Sequence, residues 1–337
     1  MKNRFKLVFA ASALVLLVTV IVCLQIGSYH VPFLDVVKTL LGQGDYLNNT
    51  VIFDLRLPRI LIAMAVGVAF STAGCLLQSV TKNALADPGI IGINAGASLA
   101  VVLLIFSGGT VYYDKIETSS MFLMPIVAII GAVASASLIY ALSYKKKVSP
   151  TRLILNGIGV NAGLSACITF YQLNMSQGDY NQALTWTNGS LWGSSMSFFY
   201  IVAPVAIVLF GIAMYKSKKI DVMDLGDELA TGLGVEVEKE RRSLLVIAVV
   251  ISAVATAVAG NISFLGLLSP HIARKLVGPV HRRLLPVSAI ISMVIILVAD
   301  AVARTMFSPV ELPVGIVISV IGVPYFIYLM LTTKEGE

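Results

Sequence analysis

Long apolar runs separated by short polar connections set the pattern of this chain from its first residues to its last. A helix needs about 20 apolar residues to cross about 30 Å of hydrocarbon at 1.5 Å per residue. On that spacing the sequence predicts about ten membrane-crossing helices. They lie near 7–27, 58–80, 92–107, 121–142, 152–173, 197–215, 243–260, 262–277, 284–305 and 312–331. The third and eighth are short, and each adjoins a stretch where Gly and Pro break the apolar pattern: Thr81 to Gly89 and Gly260 to Arg274. Lipid cannot satisfy free backbone groups, so such breaks persist only where protein buries them or a water-filled path runs past. A pair of them, one in each half, points to a transport route.

Composition agrees with this reading. The chain is 57% hydrophobic and 12% charged, with a mean hydropathy of +0.89, far from the roughly 25% charged of a soluble domain. The net charge of +6 sits in short clusters between apolar runs, which argues against a nucleic-acid partner. With the N-terminus inside, Lys2 to Lys6, Lys82, Lys145 to Lys147 with Arg152, Lys216 to Lys219, Arg241 and Arg242, Lys275 with Arg282 and Arg283, and Lys334 are all cytoplasmic, as the positive-inside rule requires. Both termini are then cytoplasmic, and Asp114, Lys115, Glu117 and Asp179 lie outside. Removing the weak eighth crossing would put Arg282 and Arg283 outside and break the pattern. The first apolar run is too long for a signal peptide and is read as a retained crossing. Cys23, Cys75 and Cys167 lie in apolar stretches without metal-ligand spacing and read as small buried hydrophobes.

Ten crossings divide as five and five, so any internal repeat is an inverted 5+5 pseudo-repeat. The whole of 1–337 reads as one transmembrane domain. Its longest cytoplasmic connection, 220–242, places Val222, Leu225, Leu229 and Leu233 at helical spacing among acidic residues. Gly232 and Gly234 form a turn, and a second short helix follows. An amphipathic helix of this kind suits docking on a soluble partner. No GxxxxGK[ST] motif occurs, so the chain cannot cradle ATP phosphates by that route.

Together these stretches resemble the permease subunits of ABC importers for iron-siderophore complexes, haem and vitamin B12. The resemblance runs through Leu55 to Arg59, Gly67 to Ser79, Asn83 to Pro88, Leu153 to Gly157, Trp186 to Leu191, Leu225-Gly226, Leu233-Gly234, Gly260 to Arg274, His281 to Pro286, Ala299 to Arg304 and Glu311 to Gly315. It covers nearly the whole chain in order. The family's usual Pro after Asn83 is Ala84 here, an acidic residue before His281 is replaced by Val280, and a cation usual in the docking helix is replaced by Thr231.

The resemblance implies an all-α integral membrane fold of the type II ABC importer permease class, and a transport subunit rather than an enzyme. It implies residence in the bacterial plasma membrane, a pair of ATP-binding subunits carrying ATP and Mg, an extracytoplasmic substrate-binding protein, and a second permease copy or relative. No cofactor is expected on this chain. Binding-protein docking falls to Arg56 and Arg304, with Arg59 beside them, whose cations lie outside against the positive-inside rule. Internal pairing of these arginines with Asp54, Asp300 or Glu311 is the competing reading. A cytoplasmic gate falls to Asn83 and Leu85, with Pro150 and Thr151 as a second layer. ATPase coupling falls to Leu225, Gly226, Glu228, Leu229, Leu233 and Gly234, and the pathway wall to Gln78. The alternative function is an ion-coupled secondary transporter that uses Asp87, His271 and Asp300 as relays. Each of the three lies near a helix end, which favours hydrogen bonding or pairing there, Asp300 with Arg304 being the simplest case.

Overall fold

A computed structural model describes residues 2–27, 29–108, 123–145, 147–306 and 311–332. The expected loop charges Asp114, Lys115 and Glu117, together with Lys334, lie outside the described residues. Helices dominate: α1 Lys2–Gln25, α2 Phe33–Leu40, α3 Tyr46–Asn49, α4 Leu57–Thr81, α5 Pro88–Ile91, α6 Ile93–Gly108, α7 Leu123–Ser143 and α8 Pro150–Gln172 come first. Then follow α9 Gln177–Thr187, α10 Met196–Asp224, α11 Asp227–Gly232, α12 Val237–Ala259, α13 Leu265–Val277, α14 His281–Thr305 and α15 Val314–Thr332. A π-helical turn over Thr50–Arg56 joins α3 to α4 without a break.

Among the described residues, eight helices are long and apolar enough to cross a membrane, and α6 is a shorter apolar one. The expected crossing at 262–277 is α13, only 13 residues long. At 1.5 Å per residue it covers about 20 Å, short of the hydrocarbon thickness. With Arg274 and Lys275 in its last turn held at a membrane surface, the head of α13 and the turn at 260–264 fall inside the hydrocarbon.

The core forms around α4, the most buried of the long helices. Its line of Ala63, Gly67, Ser71, Gly74 and Gln78 carries little or no bulk for most of its length, which lets neighbouring backbones approach closely. At Gly67 an added methyl would stand 3.0 Å from the Met293 nitrogen of α14, and at Gly74 it would stand 1.8 Å from the Gly266 carbonyl oxygen of α13. The same device pairs α6 with α7, where Gly96 and Gly131 each leave room for the other's carbonyl. Long apolar side chains on the outer faces of α1, α8, α10 and α15, such as Leu14, Phe170, Ile207 and Leu331, are exposed, as lipid-facing or partner-facing surfaces must be.

Several elements differ from the sequence expectation. Residues 33–56 hold two short helices and the π turn, because eight residues suffice for an amphipathic helix lying across an end but not for a crossing. The second short helix expected in 220–242 is the first part of α12, which starts at Val237 and continues unbroken into the membrane. Cys167 is exposed on α8, whereas Cys23 and Cys75 are buried.

Replacement Gly74→Ala forces a methyl into the Gly266 carbonyl and is expected to cost about 3 kcal/mol or more, the upper range of overpacking. Gly163→Ala, where an added methyl meets nothing, is the matched control. Melting of the purified protein in detergent reads the difference.

Candidate functional site

The two interruptions meet in space. Lys82, in the left-handed conformation at φ 51°, closes α4, and the Asn83 N–H donates back to the Gln78 carbonyl at 3.1 Å. Asn83 Oδ1 then accepts the Leu85 N–H at 2.8 Å, a side-chain-closed turn that re-aims the chain. Asp87 starts α5: its Oδ1 accepts the Gly89 N–H at 2.8 Å, while Oδ2 is buried and faces the first amides of α13, those of Gly266 and Leu267. The N-cap position of α13 is Phe264, at φ 66°, and offers no side-chain cap. A carboxylate from the first interruption therefore stands beside the head of the helix that follows the second, where its charge suits the helix dipole, with no hydrogen bond from Oδ2 among the described residues.

Leu85 packs against Leu267, Leu268 and Leu329. The short α5 lies on α8, where Gly157 leaves 2.7 Å between an added methyl and the Ile91 carbonyl. Pro150 is the first residue of α8 and Thr151, exposed, the second. The first expected gate layer, Asn83 and Leu85, thus lies in the turn that leads into α5, and the second opens α8; α5 and α8 meet at Gly92 and Gly157. Gln78 is 3% exposed in this structure, and its carboxamide has no hydrogen-bond partner among the described residues. His271 differs from the helix-end bonding expected for it: its ring meets Tyr325 edge-on at 5.8 Å and Nε2 is unpaired.

At the same end, an ionic frame carries the short α11. Arg241 of α12 is 2% exposed and grips both oxygens of Asp227 at 2.8 and 3.0 Å, while also bonding Glu238. Lys82 reaches the same Asp227 at 2.9 Å. Partial burial favours the neutral acid at Asp227, but the hydrogen bonds from Arg241 and Lys82 outweigh it and hold the carboxyl below the usual carboxylate range. Lys216 and Lys219 clamp α10 to Glu240 of α12 at 2.6 and 2.5 Å. This frame turns Leu225, Leu229 and Leu233 outward, each at least 60% exposed, with Glu228 exposed beside them. Gly226 at φ 112° and Gly234 at φ 83° bracket the helix in conformations that suit glycine alone.

A second connection, which the sequence reading did not find, sits one layer deeper. His281 is fully buried; its Nδ1–H and its backbone N–H both donate to Asp221 Oδ1, at 2.8 and 2.9 Å. Its Nε2 accepts the Ser79 hydroxyl at 2.7 Å. One imidazole therefore joins the last turns of α4 and α10 to the first residue of α14. The motif around His281 was legible as part of the resemblance, but nothing in the linear sequence pairs it with Ser79 or Asp221.

The opposite end holds the three arginines. Arg59 binds Asp300 at 2.8 Å and Glu311 at 2.9 Å, and Arg304 binds the other oxygen of Asp300 at 3.0 Å. Arg56, 4% exposed, donates to the Leu24 and Tyr29 carbonyls. All three cations are engaged inside the chain, as the competing pairing reading had it for Arg59 and Arg304. Asp300, Asp87 and His271 are each absorbed in separate local structure, and no chain of bonds among the described residues joins them into a relay.

The sequence profile of the FecCD transport family matches residues 15–332. The chain is 46% identical to the iron(3+)-hydroxamate import system permease protein FhuG of Bacillus subtilis (strain 168), covering 98% of each chain. It is 37% identical to the Fe(3+) dicitrate transport system permease protein FecD of Escherichia coli (strain K12), over 87% of this chain and 88% of that one. A solved inward-facing metal-chelate type ABC transporter superposes with a TM-score of 0.83 at 27% identity, covering 96% of this chain and 99% of that one. Helices of crossing length in this order, the match over 15–332 and these relatives identify the chain as a member of the FecCD transport family: a multi-pass ABC transporter permease of type II importer fold in the bacterial plasma membrane, a transport subunit and not an enzyme.

Proposed function

We propose that this permease imports an iron chelate into the cytoplasm, powered by separate ATPase subunits and supplied by an extracytoplasmic binding protein. The observation that carries the reading is the exposed leucine cluster around α11, Leu229 on the helix with Leu225 and Leu233 at its two flanks, held in place by the ion pairs that the buried Arg241 and the partly exposed Lys82 make to Asp227, at the end that also holds the Asn83 turn. Exposed apolar side chains on a rigid mount fit a soluble subunit better than lipid, because Glu228 and the Lys82–Asp227 pair stand among them. The relatives support iron as cargo by the names they carry.

In this reading the α11 end is cytoplasmic, as the distribution of Lys and Arg also favours. ATP-driven closure of the ATPase pair displaces α11. Asp227 passes the displacement to Lys82 at the gate turn and to Arg241 of α12, and Asp221 passes it through His281 to Ser79 of α4. Leu85, Asn83, Pro150 and Thr151 then part, with a second permease completing the ring. At the other end, the binding protein docks near Arg56, Arg59 and Arg304, where its acidic groups would compete with Asp300 and Glu311 for the guanidinium groups. The ATPase supplies ATP and Mg.

Reconstitution with the ATPase and binding protein tests the reading: ferric chelate accumulates only with ATP and is indifferent to a proton ionophore, whereas loss of uptake under the ionophore at constant ATP would overturn it. Leu229→Glu, which places a charge on the docking face, is expected to weaken ATPase association about tenfold or more, one such apolar-to-charged change being worth at least about 1.4 kcal/mol. Asp227→Ala leaves Arg241 buried without its bidentate partner, so transport per ATP falls several-fold while the ATPase stays bound, as paired uptake and hydrolysis assays would read. Leu85→Gly opens the gate layer, and vesicles without ATP leak small solutes; tight vesicles contradict the assignment.

A further inference from the structure

A cavity of about 560 Å³ opens where three segments converge: the end of α9, the 260–264 turn and the first half of α15. Thr187, Asn188, Asn261, Ser263 and Ser319 give it hydroxyls and carboxamides, and Ile316, Val320, Val323 and Pro324 give it aliphatic surface. No charged side chain lines it among the described residues. With Arg274 and Lys275 anchoring the far end of α13 at a membrane surface, its length of about 20 Å leaves the turn and this site within the hydrocarbon thickness. Polar groups at that depth line a water-filled path or a protein contact, since lipid offers them nothing.

The cavity is also built rigidly. Gly260, at φ 69°, lets the Trp186 carbonyl come within 2.2 Å of where a methyl would stand, and Gly315 does the same for Asn188 at 2.1 Å. The Gly315 N–H donates to the Gly189 carbonyl at 3.1 Å, and the Ser190 N–H to Ala259 at 2.9 Å. Three backbones are thereby fastened to one another around the opening. Asn261 is fixed in turn: its Oδ1 accepts from Asn94 at 3.1 Å and from Ser263 at 3.4 Å, and Asn94 accepts from Thr256 at 3.1 Å. None of these bonds engages the Asn261 NH₂ group, which stays available as a donor. A wall of this stiffness keeps its donors and acceptors in place for a passing solute.

We infer that this cavity is a cargo-contact site in the translocation path, and that its uncharged hydroxyl and amide lining selects a chelate of zero net charge. The inference rests on the import reading above and adds the charge of the substrate and the residues that sense it. The chemistry is a matter of charge balance. Three hydroxamates each lose one proton on binding ferric ion and cancel its charge, leaving a polar neutral shell of carbonyl and amide groups. Three catecholates leave the complex strongly anionic. A neutral complex exchanges water for the hydroxyls and carboxamides of Asn188, Asn261 and Ser319 with little electrostatic cost, and lays its carbon skeleton on Val320 and Val323. An anionic one, at membrane depth without a fixed cation on the wall, loses its hydration uncompensated.

The test uses the whole transporter with its ATPase and binding protein in vesicles. The probes are a ferric trihydroxamate and a ferric tris-catecholate, each also assayed with the binding protein omitted to separate its selectivity from that of the path. Ser319→Trp fills the cavity, and uptake of the trihydroxamate is expected to fall about tenfold, or 1.4 kcal/mol, with assembly and chelate-independent ATP hydrolysis unchanged. Ser319→Lys is expected to raise the ratio of catecholate to hydroxamate uptake about tenfold. Asn188→Leu, a second lining change, raises the KM for the hydroxamate more than it lowers the maximal rate. Wild-type uptake ratios in an assembled Ser319→Lys transporter, or wild-type rates in Ser319→Trp, overturn the site while leaving the import reading standing. A wild-type transporter that moves neither chelate, nor ferric citrate, under ATP overturns both.

Discussion

The close approach of α4 to α13 at Gly74 and Gly266 is the constraint on which the rest of the architecture depends. It brings a backbone carbonyl to where any side chain would stand, so the two helices lock at one depth. That depth sets the buried Asp87 carboxylate beside Gly266 at the head of α13, where its charge faces the positive end of the helix without a hydrogen bond from Oδ2 among the described residues. The turn above α13 is free to line a cavity because the turn below it is anchored.

From that anchor two bonded lines lead to the surface. Lys82 and Arg241 share Asp227 at the root of α11, and His281 binds Asp221 on one side and Ser79 on the other. Both lines begin at the exposed leucines and end on α4 within a turn of Lys82. Arg241 and His281 are buried, whereas Lys82, Asp227 and Asp221 are partly exposed, so solvent screens much of the attraction in these pairs. What the pairs hold is the position of α11 and the end of α10 relative to the end of α4, the geometry on which the proposed coupling rests.

Much of this was legible in the sequence, for physical reasons that differ by residue. The apolar runs announced the crossings because lipid demands their length, and the Gly and Pro breaks announced the two interruptions because lipid penalises an open backbone. Leu225, Leu229 and Leu233 stood out through helical spacing and all three are exposed, but Gly226 breaks the expected helix between Leu225 and Leu229, so Val222 and Leu225 belong to the end of α10 and only Leu229 lies within α11. What stayed hidden is pairing across long separations. Gly74 shows no sign in the sequence that Gly266 is its neighbour, nor does Ser79 point to His281. The π turn before α4 and the amphipathic α2 were missed because neither is long enough to register as a crossing. Arg59 and Arg304 drew attention as external cations; the pairing of Arg304 with Asp300 was legible from their i,i+4 spacing, and Asp300 and Glu311 were named among the candidate internal partners, but that Arg59 takes both at once shows only when α4, α14 and the stretch before α15 converge.

In the proposed coupling, α11 and the Asn83 turn move as one body when the ATPase closes. Spin labels at Thr231 and Ala84, both exposed, report on it in the assembled transporter once the exposed Cys167 is replaced. The Thr231–Ala84 distance within one chain is expected to stay constant between ATP-free and ATP-bound states, while the distance between the Ala84 positions of the two permeases changes. A Thr231–Ala84 distance that shifts with nucleotide while the Ala84 pair stays still would contradict it.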